Sequence, residues 1–341
     1  MNTLKSIIKT MLLVMAFTII SCDVDPVSDI IVTADLSQST SMADFAQYID
    51  TTPPLTVPNS TFYKDVPFGT GSEQKFDIFL PNGANSGNKA SIAIYFHGGS
   101  YQNGAKEDIY DEIGIATEIS SYVSSNIAYI STNYTLITDN NPDKKGVLRS
   151  MEDGTKLFGY LGSTPFPWNT TKAAAIGGSA GGGMAQFLAN SAYEPYIKCI
   201  SILNPQASGD IYAFNGVFQP TYPGFDIIAE ALTMVSESTI YNYHGGASIL
   251  ELTTDITIMD NRAKIEFLSP THQYSGATRI DNALSYLYPQ DYNEVVHHQL
   301  HAKAIYDSAL ANTNSVAPIG NISFYGINTL ISQTVFIKSH L

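Results

Sequence analysis

The chain has 341 residues, 44% hydrophobic and 14% charged, with a net charge of −14. That length and apolar content can bury a large core in one α/β domain, and nothing in the composition points to disorder or a coiled coil. The acidic balance and the lack of any basic stripe remove nucleic acid as a partner, and two cysteines cannot form a disulfide framework.

At the start of the chain, Lys5 and Lys9 precede ten apolar residues, 11–20, a stretch too short to cross a bilayer. It ends at Ser21-Cys22, which resembles the lipobox of bacterial lipoproteins. The expectation is a signal peptide over residues 1–21, lipid attachment at Cys22, a polar tether over 22–50 and one folded α/β domain over 51–341. The protein would then sit in the bacterial cell envelope, periplasmic or cell-surface, touching the membrane only through its anchor. The choice between inner and outer membrane stays open, as does the oligomeric state. Cys199 would be left unpaired inside the apolar run 197–203, as a small buried hydrophobe.

Residues 76–81 alternate and stop at Pro81, which reads as a strand. Residues 91–96 and 126–132 read as buried strands, with helical spacing over 107–123 between them. Val147, Leu148, Met151, Phe158 and Leu161 mark a helix, followed by a short strand over 173–176. Further strands are expected at 197–203, 283–287 and 322–325, with a helix over 297–310. Strands alternating with helices predict a mainly parallel central sheet with helices on both faces. The interval of about 206–280 breaks that rhythm and is rich in aromatics, which reads as a cap insertion over the carboxyl ends of the strands.

The strand at 173–176 runs into Gly177-Gly178-Ser179-Ala180-Gly181, a G-x-S-x-G turn that then opens a helix. Strand, sharp turn and helix are what a nucleophile elbow requires, and they make Ser179 the candidate nucleophile. His97-Gly98-Gly99 closes the strand at 91–96. Acyl transfer needs donors aimed at the oxygen that gains charge, and the N–H groups of Gly98, Gly99 and Ala180 can supply an oxyanion hole. His97 itself reads as structural. A second His-Gly-Gly at 244–246 follows no buried strand and reads as coincidence.

Asp291 follows the expected next-to-last strand, where an acid that orients an imidazole belongs, with Glu294 as the rival. A base placed after the last strand leaves only His340, next to the C-terminal residue. His297, His298 and His301 precede that strand and read as surface or packing residues. His297 and His301 share a helix face as a metal pair would. However, the second position of a zinc-protease helix is occupied by His298 in place of glutamate, so packing is the better reading and no metal is expected.

Together these residues resemble the α/β-hydrolase superfamily. They are most similar to its esterase/lipase branch with an HGG oxyanion turn, the hormone-sensitive-lipase-like and type B carboxylesterase-like enzymes. Asn133-Tyr134-Thr135-Leu136, where such proteins often carry Tyr-Arg-Leu, and Asp153 add to the likeness. Thr135 in place of arginine, Gly178 in place of an acid and Ser100 in place of a third glycine depart from it. The resemblance implies the α/β-hydrolase fold and serine acyl-enzyme ester hydrolysis, with no cofactor; the expected export and the tyrosine-rich cap interval suit a small or carbohydrate-linked ester. The competing reading is a hydrolase-like lipoprotein that binds a ligand without turnover because no histidine reaches Ser179.

Overall fold

The computed structural model describes residues 45–137, 142–164, 166–233, 235–267, 277–281, 295–311, 322–325 and 332–341. The signal segment, Cys22 and nearly all of the tether lie outside these residues.

The elements run β1 (Ser60–Pro67), β2 (Lys75–Pro81), β3 (Ala90–Phe96), α1 (Ile115–Ser124), β4 (Ile127–Thr132), α2 (Val147–Ser163), β5 (Trp168–Gly178), α3 (Ala180–Ala189) and β6 (Ile197–Leu203). The cap interval then holds α4 (Phe214–Phe218), α5 (Ile227–Ala231), α6 (Glu237–Tyr243), α7 (Ile249–Thr254) and α8 (Ile256–Phe267). β7 (Ala277–Asp281), α9 (Gln299–Ala311), β8 (Ile322–Tyr325) and α10 (Gln333–Lys338) follow. The strands form one eight-stranded sheet in the order β1-β2-β4-β3-β5-β6-β7-β8. β2 is antiparallel to both of its neighbours, and every pairing from β4 to β8 is parallel.

The central strands are buried along both faces, so they read as unbroken apolar runs rather than as alternation. Ile78, Ile92, Ile94, Ala175 and Ile202 pack on one face with Leu157 and Phe158 of α2 and Phe187 of α3. Phe79, Ala93, Ala174, Ile176 and Cys199 line the other face with Ile119 and Tyr122 of α1 and Phe336 and Ile337 of α10. Cys199 is fully buried, and burial pushes its thiol up to about 12. It is therefore an inert core residue.

Two sequence expectations shift. The single helix over 107–123 splits into a 3-10 turn, Asp108–Asp111, and α1, because Glu112 is extended and Gly114 adopts a left-handed φ of 88°. The strand beside β6 is Ala277–Asp281, at the end of the stretch assigned to the cap, whereas 283–287 lies outside the described residues.

Candidate active site

The elbow is built from three small buried residues and a strained fourth. Ala173, Ala174 and Ala175 let helices approach β5 closely, and Ser179 then turns at φ 52° and ψ −120°. A side-chain-bearing residue held there costs about 1–3 kcal/mol, which the surroundings must overcome. They do so on both sides of the turn. Ser179 N–H donates to the Leu203 carbonyl at 2.9 Å, and its own carbonyl accepts from Gly183 N–H at 3.2 Å, opening α3. Gly181 must lack a side chain, since a Cβ would lie 2.0 Å from the Phe96 carbonyl oxygen. That close approach seats the positive end of α3 against the end of β3, where the His-Gly-Gly turn begins.

Gly98 lies directly against Ser179, and a Cβ on it would meet Ser179 Cβ at 3.7 Å. Gly99 has φ +110°, open to glycine at little cost, and its carbonyl accepts from the N–H groups of Gln102 and Asn103 at 3.0 and 2.9 Å. Among the described residues, neither Gly98 nor Gly99 donates its own N–H to a backbone carbonyl. Ala180 is the first residue of α3, so its N–H has no carbonyl within the helix. Gly98 and Ala180 thus flank Ser179, with Gly99 next in the His-Gly-Gly turn.

His97 supports this wall without entering the chemistry. Its Nδ1–H donates to the Gly98 carbonyl at 2.7 Å, and its ring stacks on Tyr134 with centroids 4.2 Å apart. The Tyr134 hydroxyl donates to the His97 carbonyl at 2.8 Å, and burial lowers the imidazole's pKa. Farther along the loop, the buried Lys106 ammonium lies 3.0 Å from both Asp65 and Asp77 and also pairs with Glu107. Ser131 Oγ donates to the Lys106 carbonyl at 2.7 Å. Thr135, despite replacing an arginine, reaches Asp153 through its N–H at 2.8 Å and its hydroxyl at 2.6 Å.

The imidazole beside Ser179 Oγ is that of His297, with Nε2 at 2.9 Å. This corrects the expectation of His340. The His340 Nδ1 atom lies 2.7 Å from the Phe336 carbonyl and 3.0 Å from Ser339 Oγ, at the end of α10. α10 packs its Phe336 and Ile337 into the α1 face of the sheet, and Lys338 Nζ donates to Ser121 Oγ of α1 at 3.0 Å. His340 is therefore tied to its own helix rather than to the serine turn. His297 belongs instead to a turn just ahead of α9. The sequence did hold a hint, since residues 326–331 that follow β8 contain no histidine. Asp291 and Glu294 lie outside the described residues.

A second side chain escaped the sequence reading. Gln206, just past the end of β6, donates from Nε2 to Ser179 Oγ at 3.3 Å. A hydroxyl oxygen that accepts from this amide keeps its proton for His297, so the two contacts are complementary when Nε2 of His297 is bare. His301, also read as packing, is fully buried and bonded at both ring nitrogens, to Ala207 N–H at 3.1 Å and the Val295 carbonyl at 2.7 Å.

Beside the serine is a cavity of about 210 Å³. Gln206 and Val296 form the wall nearest the site, and Ile211, Phe214, Ile240 and Tyr243 provide most of an apolar lining. The cap helices that close it are anchored by a buried cluster. Asp210 accepts from His244 Nε2 at 3.0 Å and from Arg262 Nε at 3.1 Å, and Arg262 lies 4.5 Å over the Tyr212 ring. The second His-Gly-Gly thus supplies a cap anchor, and burial drives the His244 pKa down to about 4. Among the described residues, no group of three or more His, Cys, Asp or Glu is placed to share a metal ion.

The BD-FAE family model matches residues 76–216, from β2 through the elbow into the cap. Among curated proteins none matches the sequence. Among solved structures, a truncated carbohydrate esterase from gut microbiota is 11% identical, with 81% of this chain and 90% of that one covered and a TM-score of 0.51. An inhibited esterase B from Lactobacillus rhamnosis is 12% identical, covering 80% and 77%, with a TM-score of 0.49. Esterase 2 of Thermogutta terrifontis is 10% identical, covering 85% and 93%, with a TM-score of 0.47. The chain has the α/β-hydrolase fold.

Proposed function

We propose that the protein is a serine carboxylic ester hydrolase working through an acyl-enzyme, with Ser179 as nucleophile and His297 as base. The observation that carries this reading is the 2.9 Å contact between Ser179 Oγ and His297 Nε2 at a strained turn that opens a helix. The BD-FAE match over the elbow and the esterases among the structural relatives agree with it.

In this mechanism His297 takes the hydroxyl proton as Ser179 Oγ attacks the ester carbonyl. The N–H groups of Gly98, Gly99 and Ala180, with the N-terminal end of α3, stabilise the oxyanion. His297 then delivers its proton to the departing alcohol, and it activates the water that releases the acid. Asp291, with Glu294 as the alternative, is the proposed carboxylate orienting the imidazole. The apolar cavity beside Gln206 suits a small acyl or aryl group. Asn103 and Thr239 on its lining add polar partners that suit a carbohydrate-linked ester. The binding-only reading required that no histidine reach Ser179, and His297 removes that premise.

Labelling with a fluorophosphonate probe tests the assignment. The parent protein should label, and Ser179→Ala should not. Labelling that survives Ser179→Ala would rule out this nucleophile. Envelope anchoring through Cys22 is part of the same proposal, tested by loss of metabolic palmitate incorporation in Cys22→Ser.

A further inference from the structure

Among the described residues two side chains contact Ser179 Oγ, and both come from segments held by one residue. His297 lies two positions after Val295, and Gln206 immediately precedes Ala207. His301, in the first turn of α9, bonds to the backbone of both segments. Its Nδ1 accepts from Ala207 N–H at 3.1 Å, and its Nε2–H donates to the Val295 carbonyl at 2.7 Å. The ring is fully buried, with centroids 4.3 Å from Phe214 and 5.2 Å from Phe218. We propose that His301 is a positioning residue that clamps the His297 turn to the Gln206 loop and so sets both contacts on the nucleophile. This inference rests on the reading of His297 as the base.

The chemistry of the ring makes it suited to the task. Pairing one nitrogen with an N–H and the other with a carbonyl fixes a single neutral tautomer. Protonation at Nδ1 would set two donors against each other in a site without water's dielectric. Burial accordingly holds the pKa at about 3. The clamp stays closed at every pH where His297 could act as a base. A packing residue alone would need the ring's shape but neither of its hydrogen bonds, which is what separates the two roles experimentally.

His301→Leu keeps the apolar volume and removes both bonds, while His301→Gln retains an amide that can donate and accept. For the leucine variant, folding is checked by circular dichroism. The expectation is a fall in kcat on the order of 100-fold, as a misplaced catalytic group produces, with KM little changed. The glutamine variant should recover a large part of that loss. Unchanged kcat in His301→Leu, or equal loss in two folded variants, would overturn the clamp. Should His301→Leu not fold, ¹⁵N NMR of the histidines in the parent protein decides. The clamp requires one His301 tautomer, protonated at Nε2, from pH 5 to 9 (about two pH units or more above its buried pKa). A titrating ring or the opposite tautomer refutes it. His297→Ala separates the two ideas. If it leaves kcat intact, the base assignment fails. If it abolishes kcat while folded His301→Leu retains it, only the clamp fails.

Discussion

The two walls of the site are held in different ways. On the oxyanion side, the segment from His97 to Lys106 is fastened at many points. Tyr134 holds the His97 carbonyl, Ser131 holds that of Lys106, and the Lys106 ammonium joins three carboxylates on β1, β2 and its own loop. On the base side, the described turn that carries His297 is bonded to the loop beyond β6 through the His301 ring. In the proposed mechanism the first wall presents backbone donors that stay fixed, since an oxyanion hole works by being preorganised. In that mechanism the second places an imidazole that exchanges protons at every half-reaction. One wall draws its rigidity from charge and the sheet, the other from a neutral ring in an apolar pocket.

This contrast can be tested from the strongest expected effect downward. His297→Ala should cost about 10⁴-fold or more in kcat/KM on a nitrophenyl ester, while His340→Ala leaves it unchanged. The reverse outcome would return the base to the chain end. Lys106→Met should lower stability by about 3–5 kcal/mol in urea denaturation, because Asp77 is left buried without its cation. A loss below about 1 kcal/mol would make the pair a surface-like contact and erase the contrast between the walls.

Acid should weaken the apolar wall and the cap. His301 stands at about 3 and His244 at about 4, both below the ordinary 6.5, through burial. The unfolded chain therefore binds protons below pH 6.5 that the folded chain refuses. Their stability contribution is complete above pH 6.5 and declines as pH falls from there toward 4, by about 1 kcal/mol per pH unit for each ring. Urea midpoints at pH 7.5, 6.5 and 5.5 measure the slope, and His244→Gln with His301→Gln should flatten it. A slope that persists in the double variant assigns the acid loss to other groups. The smallest effect is Gln206→Leu, expected to lower kcat about tenfold through loss of one hydrogen bond to Ser179 Oγ. No change would confine Gln206 to lining the cavity.

The same division explains what could be read from the residues alone. Gly98, Gly99, Ser179 and Ala180 act within tight local turns, whose geometry is written in adjacent glycines. β3, β5 and β6 declare themselves as apolar runs for a similarly local reason. His297 meets Ser179 across 118 positions, and only the packing of α9 against the loop beyond β6 brings it there. The order rule that selected His340 assumes that the base follows the last strand. Here residues 326–331 directly after β8 contain no histidine, and α10 turns His340 toward its own backbone. β1, an edge strand whose pairing with β2 shifts register between Tyr63 and Val66, and α10, only six residues long, leave no such apolar run in the sequence. Thr135, a departure from the resembled pattern, makes a contact of its own, through its hydroxyl and N–H to Asp153.

The position of His297 ahead of β8 also changes what the end of the chain is for. Once α9 is laid down, the described chemistry is in place, and β8 and α10 act as a clasp over the sheet edge and the Cys199 face. A tag carried after α10 would then hang from a structural handle rather than from the histidine beside Ser179.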